Sequence, residues 1–130
     1  MADYYKVELT AEERAKFERT IKEMTSLIEA NGRDVEAYFN RGVAHGGLKQ
    51  YESAIVDSGK AIELKKDYAD AYHNRGTALN FVRQYESAIA DSNKVLELKP
   101  NDADAFYNRG NSRSGLKQYE AAIVDYDKAI

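Results

Sequence analysis

A block of 34 residues recurs along this chain without insertion or deletion. The block at 71–104 is preceded by a related block at 37–70 and followed by a shorter one at 105–130. The first and second blocks are identical at 20 of 34 positions, and the first and third at 17 of 26. A fixed period of about 20–50 residues is typical of solenoids, in which one unit cannot bury its apolar face alone. The chain is therefore expected to fold by stacking its blocks.

Each block carries the same spaced residues, and their types predict two packed helices. An aromatic residue is followed four positions later by glycine, which lets two backbones approach closely. A second aromatic residue then precedes an alanine and an isoleucine that suit close packing. Pro100, the only proline, is expected to end the second helix of the middle block. The aromatic–glycine pairs are Tyr38–Gly42, Tyr72–Gly76 and Phe106–Gly110, and the later motifs are Tyr51–Ala54–Ile55, Tyr85–Ala88–Ile89 and Tyr119–Ala122–Ile123.

These motifs resemble the tetratricopeptide repeat (TPR) family over residues 37–130. The resemblance implies an all-α fold: a right-handed α-α superhelix, or solenoid, of helical hairpins with about seven helices. The predicted paired helices are 35–48 with 51–65, 69–82 with 85–98, and 103–116 with 119–130.

The N-terminal segment is predicted to be a capping half-repeat. Met1–Leu9 lacks a periodic pattern and is expected to be an extended lead-in. Thr10 and Glu13 fit a capping box, which places a helix start at Thr10. Phe17 and Ile21 then match the second helix of a repeat. The predicted division is a lead-in with capping helix at 1–34 and repeats at 35–68, 69–102 and 103–130, the last incomplete.

Two local features of the repeats also carry predictions. The expected N-caps of the first helices are Asp34, Asp67, and Asn101 or Asp102. The turn inside each pair is Lys-Gln or Arg-Gln where the family commonly has Gly-Asp. A positive φ at Lys or Arg would cost roughly 1 kcal/mol, so a differently shaped turn is expected.

An arginine and an aspartate recur sixteen residues apart in each block, where the family usually has leucine at the arginine position. They are expected to pair between the two helices of a repeat, partly buried. The three pairs are Arg41–Asp57, Arg75–Asp91 and Arg109–Asp125.

Composition argues against several classes of function. The net charge is −3 with acids and bases interspersed, which favours neither nucleic acid nor a membrane surface as a partner. There is no cysteine, no apolar run of membrane-spanning length and no secretion signal, so a cytoplasmic protein is expected. His45 and His73 lack metal-ligand spacing, and no phosphate-binding loop is present. Neither an enzyme, nor a metal, nor a cofactor is predicted.

The resemblance instead implies a protein-interaction scaffold, with the first helix of each pair lining a concave groove that receives a peptide of a partner protein. Asn40, Asn74 and Asn108 recur at one register of these helices. Their amides would hydrogen-bond a peptide backbone, or they would join neighbouring repeats, or both.

The residues around these asparagines differ between blocks, as expected of a surface that determines specificity or of sequence drift at exposed positions. The predicted partner-binding residues are Phe39, Asn40, Val43, His73, Asn74, Thr77, Asn80, Tyr107, Asn108 and Asn111.

Some family members clamp the C-terminal carboxylate of heat-shock chaperones with lysines and asparagines. Here Phe39 and Val43 stand where the first clamp lysine and asparagine would be. Glu36, Asp70 and Asp104 are acidic and would repel a carboxylate. A basic or polar peptide is therefore favoured.

The sequence stops inside the second helix of the third block, which leaves two readings. Either the chain is cut from a longer repeat array, or the uncovered helix at 119–130 docks onto another chain. The second reading makes self-association the alternative function, with a homo-oligomer formed through residues 119–130.

Overall fold

The computed structural model describes residues 8–130, which form seven α-helices and no strand. Residues 1–7 of the predicted lead-in lie outside this part of the chain. The helices are α1 (Ala11–Ala30), α2 (Val35–Gly47), α3 (Tyr51–Leu64), α4 (Ala69–Phe81), α5 (Tyr85–Leu98), α6 (Ala103–Gly115) and α7 (Tyr119–Lys128). Each predicted helix of a pair lies within two residues of an observed one.

The helices are stacked in sequence order. Each packs on the next, from α1 on α2 to α6 on α7, and the first helices of the pairs also touch, α2 with α4 and α4 with α6. Three helical hairpins preceded by a single helix therefore form a layered array in which contacts are made with near neighbours. The predicted all-α solenoid is confirmed.

The core is thin because most of its buried side chains are small. Nine of the thirteen buried hydrophobic residues of 8–130 are alanines; the others are Ile62, Tyr68, Leu79 and Val95. Aromatic rings fill the places where glycine brings helices close. A Cβ added at Gly47 would lie 2.6 Å from the Phe17 ring.

The predicted helix caps are partly right. Thr10 and Glu13 form the expected capping box at α1, and Asp34 and Asp102 cap α2 and α6 by accepting backbone N–H groups. Asp67 is wrong as a cap, because Tyr68 occupies the N-cap position of α4 and makes no side-chain cap bond. Tyr68 is buried at this point, so tertiary packing sets where α4 begins.

The turns inside the pairs do not have the different shape expected from their sequence. Lys49, Arg83 and Lys117 adopt φ values of 61°, 64° and 63°, the left-handed conformation that glycine adopts without strain. Each turn is closed by the following glutamine, whose N–H bonds a carbonyl five residues back, as Gln50 does to His45 at 2.9 Å. The turn between paired helices therefore adopts the left-handed conformation, despite the backbone strain that a lysine or arginine has at positive φ.

The predicted arginine–aspartate pairs are confirmed in all three repeats, each with two hydrogen bonds. The Nε and Nη2 atoms of Arg41 lie 2.8 Å from the Asp57 carboxylate. The matching distances are 2.9 and 2.7 Å for Arg75–Asp91, and 3.0 and 2.8 Å for Arg109–Asp125. All three aspartates are buried. Hydrogen bonds from the guanidinium to Asp91 raise the pKa of Arg75, since they favour its charged form.

The third pair has an additional partner, because Arg113 also donates to Asp125 at 2.8 Å. The residue at the corresponding position is His45 in the first repeat and Leu79 in the second. The arginines of the first and third pairs also bond the preceding helical unit. Arg41 donates to Thr25 of α1 at 3.2 Å, and Arg109 donates to Asn93 of α5 at 2.9 Å.

Candidate functional site

The helices α2, α4 and α6 lie side by side and carry the predicted partner-binding residues. Where α2 meets the start of α4, the rings of Phe39 and Tyr68 pack with centroids 5.0 Å apart. The Tyr68 hydroxyl donates to Glu36 at 3.3 Å. Burial, and next the nearby Glu36 charge, raise the pKa of Tyr68 to about 12. The contact between α2 and the start of α4 is therefore aromatic, with the two rings packed against each other.

The contact between α4 and α6 is instead polar. The Thr77 hydroxyl donates to the backbone carbonyl of His73 at 3.0 Å. The side-chain nitrogen of Asn108 lies 2.8 Å from the Thr77 oxygen and 3.4 Å from Nδ1 of His73. Asn80 donates to the backbone carbonyl of Asn108 at 3.2 Å and accepts from Ser112 at 2.6 Å. These bonds hold the two first helices in a fixed register.

Beside this network lies an open cleft of about 260 Å³. Its polar side is formed by side chains of α4 and α6, and its apolar side by the aromatic residues where α4 ends and α5 begins. The lining residues are Thr77, Asn80, Phe81, Tyr85, Asn108 and Asn111.

Phe81 is the most exposed part of this wall, at 62%. Its ring stacks on that of Tyr51, with centroids 4.6 Å apart and planes 3° from parallel. Asn111 is held on the other side, since its Oδ1 accepts from the Tyr126 hydroxyl at 2.7 Å. The cleft thus combines amide groups with an exposed, stacked aromatic ring.

The predicted site residues fall into two groups. Thr77, Asn80, Asn108 and Asn111 line the cleft together. The other six lie outside its lining: Phe39, Asn40, Val43, His73, Asn74 and Tyr107. Of these, Asn40, Val43 and Tyr107 are exposed, and Phe39, His73 and Asn74 are half-buried.

The three asparagines that share a register have three different environments. Asn40 is exposed. Asn74 donates to Ser58 of α3 at 2.8 Å. Asn108 is 9% exposed and bonds residues of α4. Two of the three amide nitrogens therefore join neighbouring repeats, which was one of the two predicted roles.

Phe81 and Tyr85 were not predicted as site residues, although a sequence signal marks Phe81. The positions 34 residues before and after it are Gly47 and Gly115. In those repeats an aromatic ring, Phe17 or Tyr85, packs directly over the glycine. Phe81 interrupts this glycine pattern and so places a second ring at the surface.

Metal clusters and membrane-spanning helices are both absent from the described part of the chain. Within residues 8–130, no three His, Cys, Asp or Glu side chains cluster in a way that would hold a metal ion. None of the seven helices combines the length and the apolar character needed to cross a membrane.

Comparison with known sequences gives the family. Profiles of the tetratricopeptide repeat match residues 35–68 and 103–130, and a profile described as TPR repeat matches 84–114. Together they cover more than half of the chain, which belongs to the tetratricopeptide repeat family. The resemblance seen in the repeats is confirmed, and with it the general class of protein-interaction scaffold. No curated protein matches this chain in sequence.

Solved structures share the fold at low identity. MamA from Desulfovibrio magneticus RS-1, from residue 41 onward, is 26% identical with a TM-score of 0.83, and the match covers 89% of this chain and 66% of that one. Another MamA crystal structure is 26% identical with a TM-score of 0.79, covering 84% and 64%. The Arabidopsis OM64 TPR domain is 27% identical with a TM-score of 0.72, covering 73% and 78%. This chain thus spans slightly less than two thirds of the MamA chains.

Proposed function

We propose that this chain binds a peptide segment of a partner protein along the surface of α2, α4 and α6, centred on the cleft between α4 and α6. The observation that carries the proposal is the combined lining of that cleft. Oriented asparagine and threonine groups can bond a peptide backbone, and an exposed aromatic ring can cover one of its side chains. Peptide-binding surfaces commonly combine a few placed polar groups with aromatic anchors in this way.

The preferred peptide is basic or polar. Asp70 and Asp104 lie on α4 and α6, near the start of each helix, and both are exposed. Within residues 8–130, the cation paired with Asp70 is Lys99, at a long distance of 3.8 Å. Exposed carboxylates of this kind favour a positively charged ligand and speed its encounter with the surface.

A random peptide library displayed on phage and selected on the immobilised full chain tests this proposal. Selected peptides would be synthesised, and their affinities measured by fluorescence anisotropy. Replacing Phe81 and Asn111 together by alanine is expected to weaken binding at least about tenfold, because an exposed aromatic anchor and an amide contact are removed.

The matched control is Val56→Ala, which removes a side chain that is 69% exposed but lines a separate depression with Arg41 and His45. Its affinity should equal that of the unchanged protein. Circular dichroism confirms that each variant folds. If the Phe81/Asn111 variant binds selected peptides as tightly as the Val56 variant, the cleft is not the binding site.

Self-association through α7 is the second candidate, and the exposure of one helix face favours it. Tyr119 and Ile123 are 57% and 58% exposed. The matching Tyr51 and Tyr85 are covered by the ends of α4 and α6, through Phe81 and Gly115. The face of α7 therefore repeats a packing surface that is occupied in the two preceding repeats.

Sedimentation equilibrium over a wide concentration range tests this candidate. Self-association predicts a mass that rises with concentration in the unchanged protein and stays at the monomer value after Ile123→Glu. A monomeric mass at every concentration rejects it. The cytoplasmic location and the division into units at 1–34, 35–68, 69–102 and 103–130 remain predictions.

A further inference from the structure

The aromatic side of the cleft is formed by two rings, each packed against another part of the chain. The Phe81 ring lies parallel to that of Tyr51, with centroids 4.6 Å apart, and the Tyr85 ring packs over Gly115 of α6. Phe81 nevertheless remains 62% exposed. The part of its ring that Tyr51 does not cover is therefore available to a ligand. Another aromatic ring suits this surface, because aromatic pairs in stacked or edge-to-face contact gain more than the burial of their area.

The polar side of the cleft includes an amide with an unused hydrogen-bonding atom. Asn111 bonds the Tyr126 hydroxyl at 2.7 Å through one atom of its amide, and its other amide atom bonds no described residue. Asn111 is half-buried, and within residues 8–130 no buried side-chain nitrogen or oxygen lacks a partner. The second atom is therefore open to solvent. Whichever way the amide is turned, it leaves a donor or an acceptor for a ligand.

The size and charge of the cleft favour one neutral side chain. None of the six described residues that line it is charged. A charged side chain entering it would lose contact with water and gain no opposite charge, which is unfavourable. The volume of about 260 Å³ is sufficient for a single aromatic ring, since a cavity of about 150 Å³ can hold benzene.

The ring and the amide are both departures from the repeat pattern. Phe81 replaces the glycine found at Gly47 and Gly115, and Asn111 stands where the earlier repeats have Val43 and Thr77. The positions of α2 and α4 that match Phe81 and Asn111 are thus Gly47 and Thr77, which supply neither a ring nor an amide. The combination of Phe81 with Asn111 distinguishes the cleft between α4 and α6.

We propose that this cleft takes a tyrosine side chain of the partner peptide, with its ring against Phe81 and its hydroxyl on the amide of Asn111. A phenol hydroxyl both donates and accepts a hydrogen bond, so it suits either atom of that amide. Phenylalanine has the ring without the hydroxyl, the indole of tryptophan only donates, and leucine has no ring. The inference rests on the proposed peptide-binding function and names the residue that the cleft selects.

Amides of single amino acids test the cleft without a peptide. N-acetyl-tyrosinamide, N-acetyl-phenylalaninamide and N-acetyl-leucinamide would be titrated separately into the ¹⁵N-labelled full chain and followed by nuclear magnetic resonance. The tyrosine amide is expected to shift the signals of Phe81 and Asn111 to saturation. It should bind about fivefold more tightly than the phenylalanine amide, because it adds one hydrogen bond. The phenylalanine amide should in turn bind about two- to tenfold more tightly than the leucine amide, because it adds a ring contact.

Three variants assign these differences to particular residues. Asn111→Val, which matches Val43 of the first repeat, should remove the difference between the tyrosine and phenylalanine amides. Phe81→Leu, which keeps an apolar side chain, should remove the difference between the phenylalanine and leucine amides. Val56→Ala should remove neither, since Val56 lines a separate depression. Circular dichroism confirms that each variant folds.

Three results would overturn the inference. A preference for the tyrosine amide that persists in Asn111→Val would show that Asn111 does not bind the hydroxyl. A leucine amide that the unchanged chain binds as tightly as the tyrosine amide would show that the cleft does not select a ring. A tyrosine amide that leaves the signals of Phe81 and Asn111 unshifted would show that the cleft does not take this side chain.

Library-selected peptides separate this inference from the proposed function. Peptides that bind the cleft are expected to share a tyrosine, and its replacement by phenylalanine should weaken binding about fivefold. If peptides bind the cleft without a tyrosine, or bind equally well after that replacement, the function stands and the inference is wrong. If no peptide binds while the tyrosine amide still shifts Phe81 and Asn111, the proposed function fails and the preference of the cleft for a tyrosine side chain stands.

Discussion

At the scale of single residues, the three buried aspartates differ in how many arginines hold them. Asp91 receives hydrogen bonds from Arg75 alone, whereas Asp125 receives them from both Arg109 and Arg113. Asp91 is buried, while the Arg75 side chain is 28% exposed. Losing Arg75 therefore leaves the Asp91 carboxylate buried and unpaired. Losing Asp91 instead leaves the Arg75 guanidinium partly exposed to water.

Arg75→Leu is expected to destabilise the fold by about 3–5 kcal/mol, the magnitude for an uncompensated buried charge. Arg109→Leu should cost less, because Arg113 still donates to Asp125. Urea unfolding of both variants, followed by circular dichroism, measures the difference. Equal losses would show that Arg113 does not share the charge of Asp125.

The phenol of Tyr68 gives a pH-dependent prediction. Its folded pKa of about 12 lies above the ordinary value of 10.0, so the fold favours the neutral phenol. This contribution is fully present below pH 10, and it is lost as pH rises through about 12. The loss should amount to about 2–3 kcal/mol at most.

Urea unfolding of the unchanged protein and of Tyr68→Phe between about pH 9 and 12 measures this contribution. The unchanged protein should lose more stability over that range than Tyr68→Phe, because the variant has no phenol at this position. Parallel curves would mean that the pKa of Tyr68 is not raised in the folded protein.

Residue-level prediction from sequence worked where a pattern recurred and failed where packing decided. The arginine–aspartate pairs were predictable because a spacing of sixteen residues appears three times across facing helices. The cap expected at Asp67 was wrong because Tyr68, which is buried against Phe39, stands directly before α4 in the N-cap position. The partners that Asn108 bonds were not predictable from its own repeat, since Thr77 and His73 belong to the preceding repeat.

At the scale of helices, adjacent glycines of α2 have opposite surroundings. A Cβ at Gly47 would lie 2.6 Å from the Phe17 ring of α1, whereas one at Gly46 would meet its nearest neighbour at 4.0 Å. Both glycines lower the helix propensity of α2 to a similar degree. Contact with α1 is therefore the main difference between them.

Gly47→Ala is expected to destabilise the protein by about 1–3 kcal/mol, because the ring and the helix must shift. Gly46→Ala should instead be neutral or stabilising by up to about 1 kcal/mol, since alanine favours the helix. Thermal unfolding of the two variants compares them directly. A stabilised Gly47→Ala protein would show that α1 does not pack on α2 in this way.

Helix bounds were predictable to within two residues because the apolar period and the turn positions repeat in register. The turn conformation was not, since three lysine or arginine residues take a backbone shape that glycine prefers.

Phe81 was not predicted as a site residue. Its role depends on stacking with Tyr51 of the preceding helix, and only the break in the glycine pattern marks it in the sequence.

At the scale of the whole molecule, the arginine–aspartate pairs that recur in every repeat hold the helices together. Residues that differ between repeats give the surface of α2, α4 and α6 its variation. Bonded arginines and aspartates recur within each hairpin and link helices inside the stack. On α2, α4 and α6, residues that differ between repeats make one contact aromatic and the next polar. We propose that this varied lining is the part of the molecule that binds a partner.

Chemical-shift mapping with a library-selected peptide on the ¹⁵N-labelled full chain tests that claim most directly. The account predicts that the largest changes fall on α4 and α6, at Thr77, Asn80, Phe81, Asn108 and Asn111. Changes confined instead to the depression around Arg41 and Val56, or to the exposed face of α7, would contradict it.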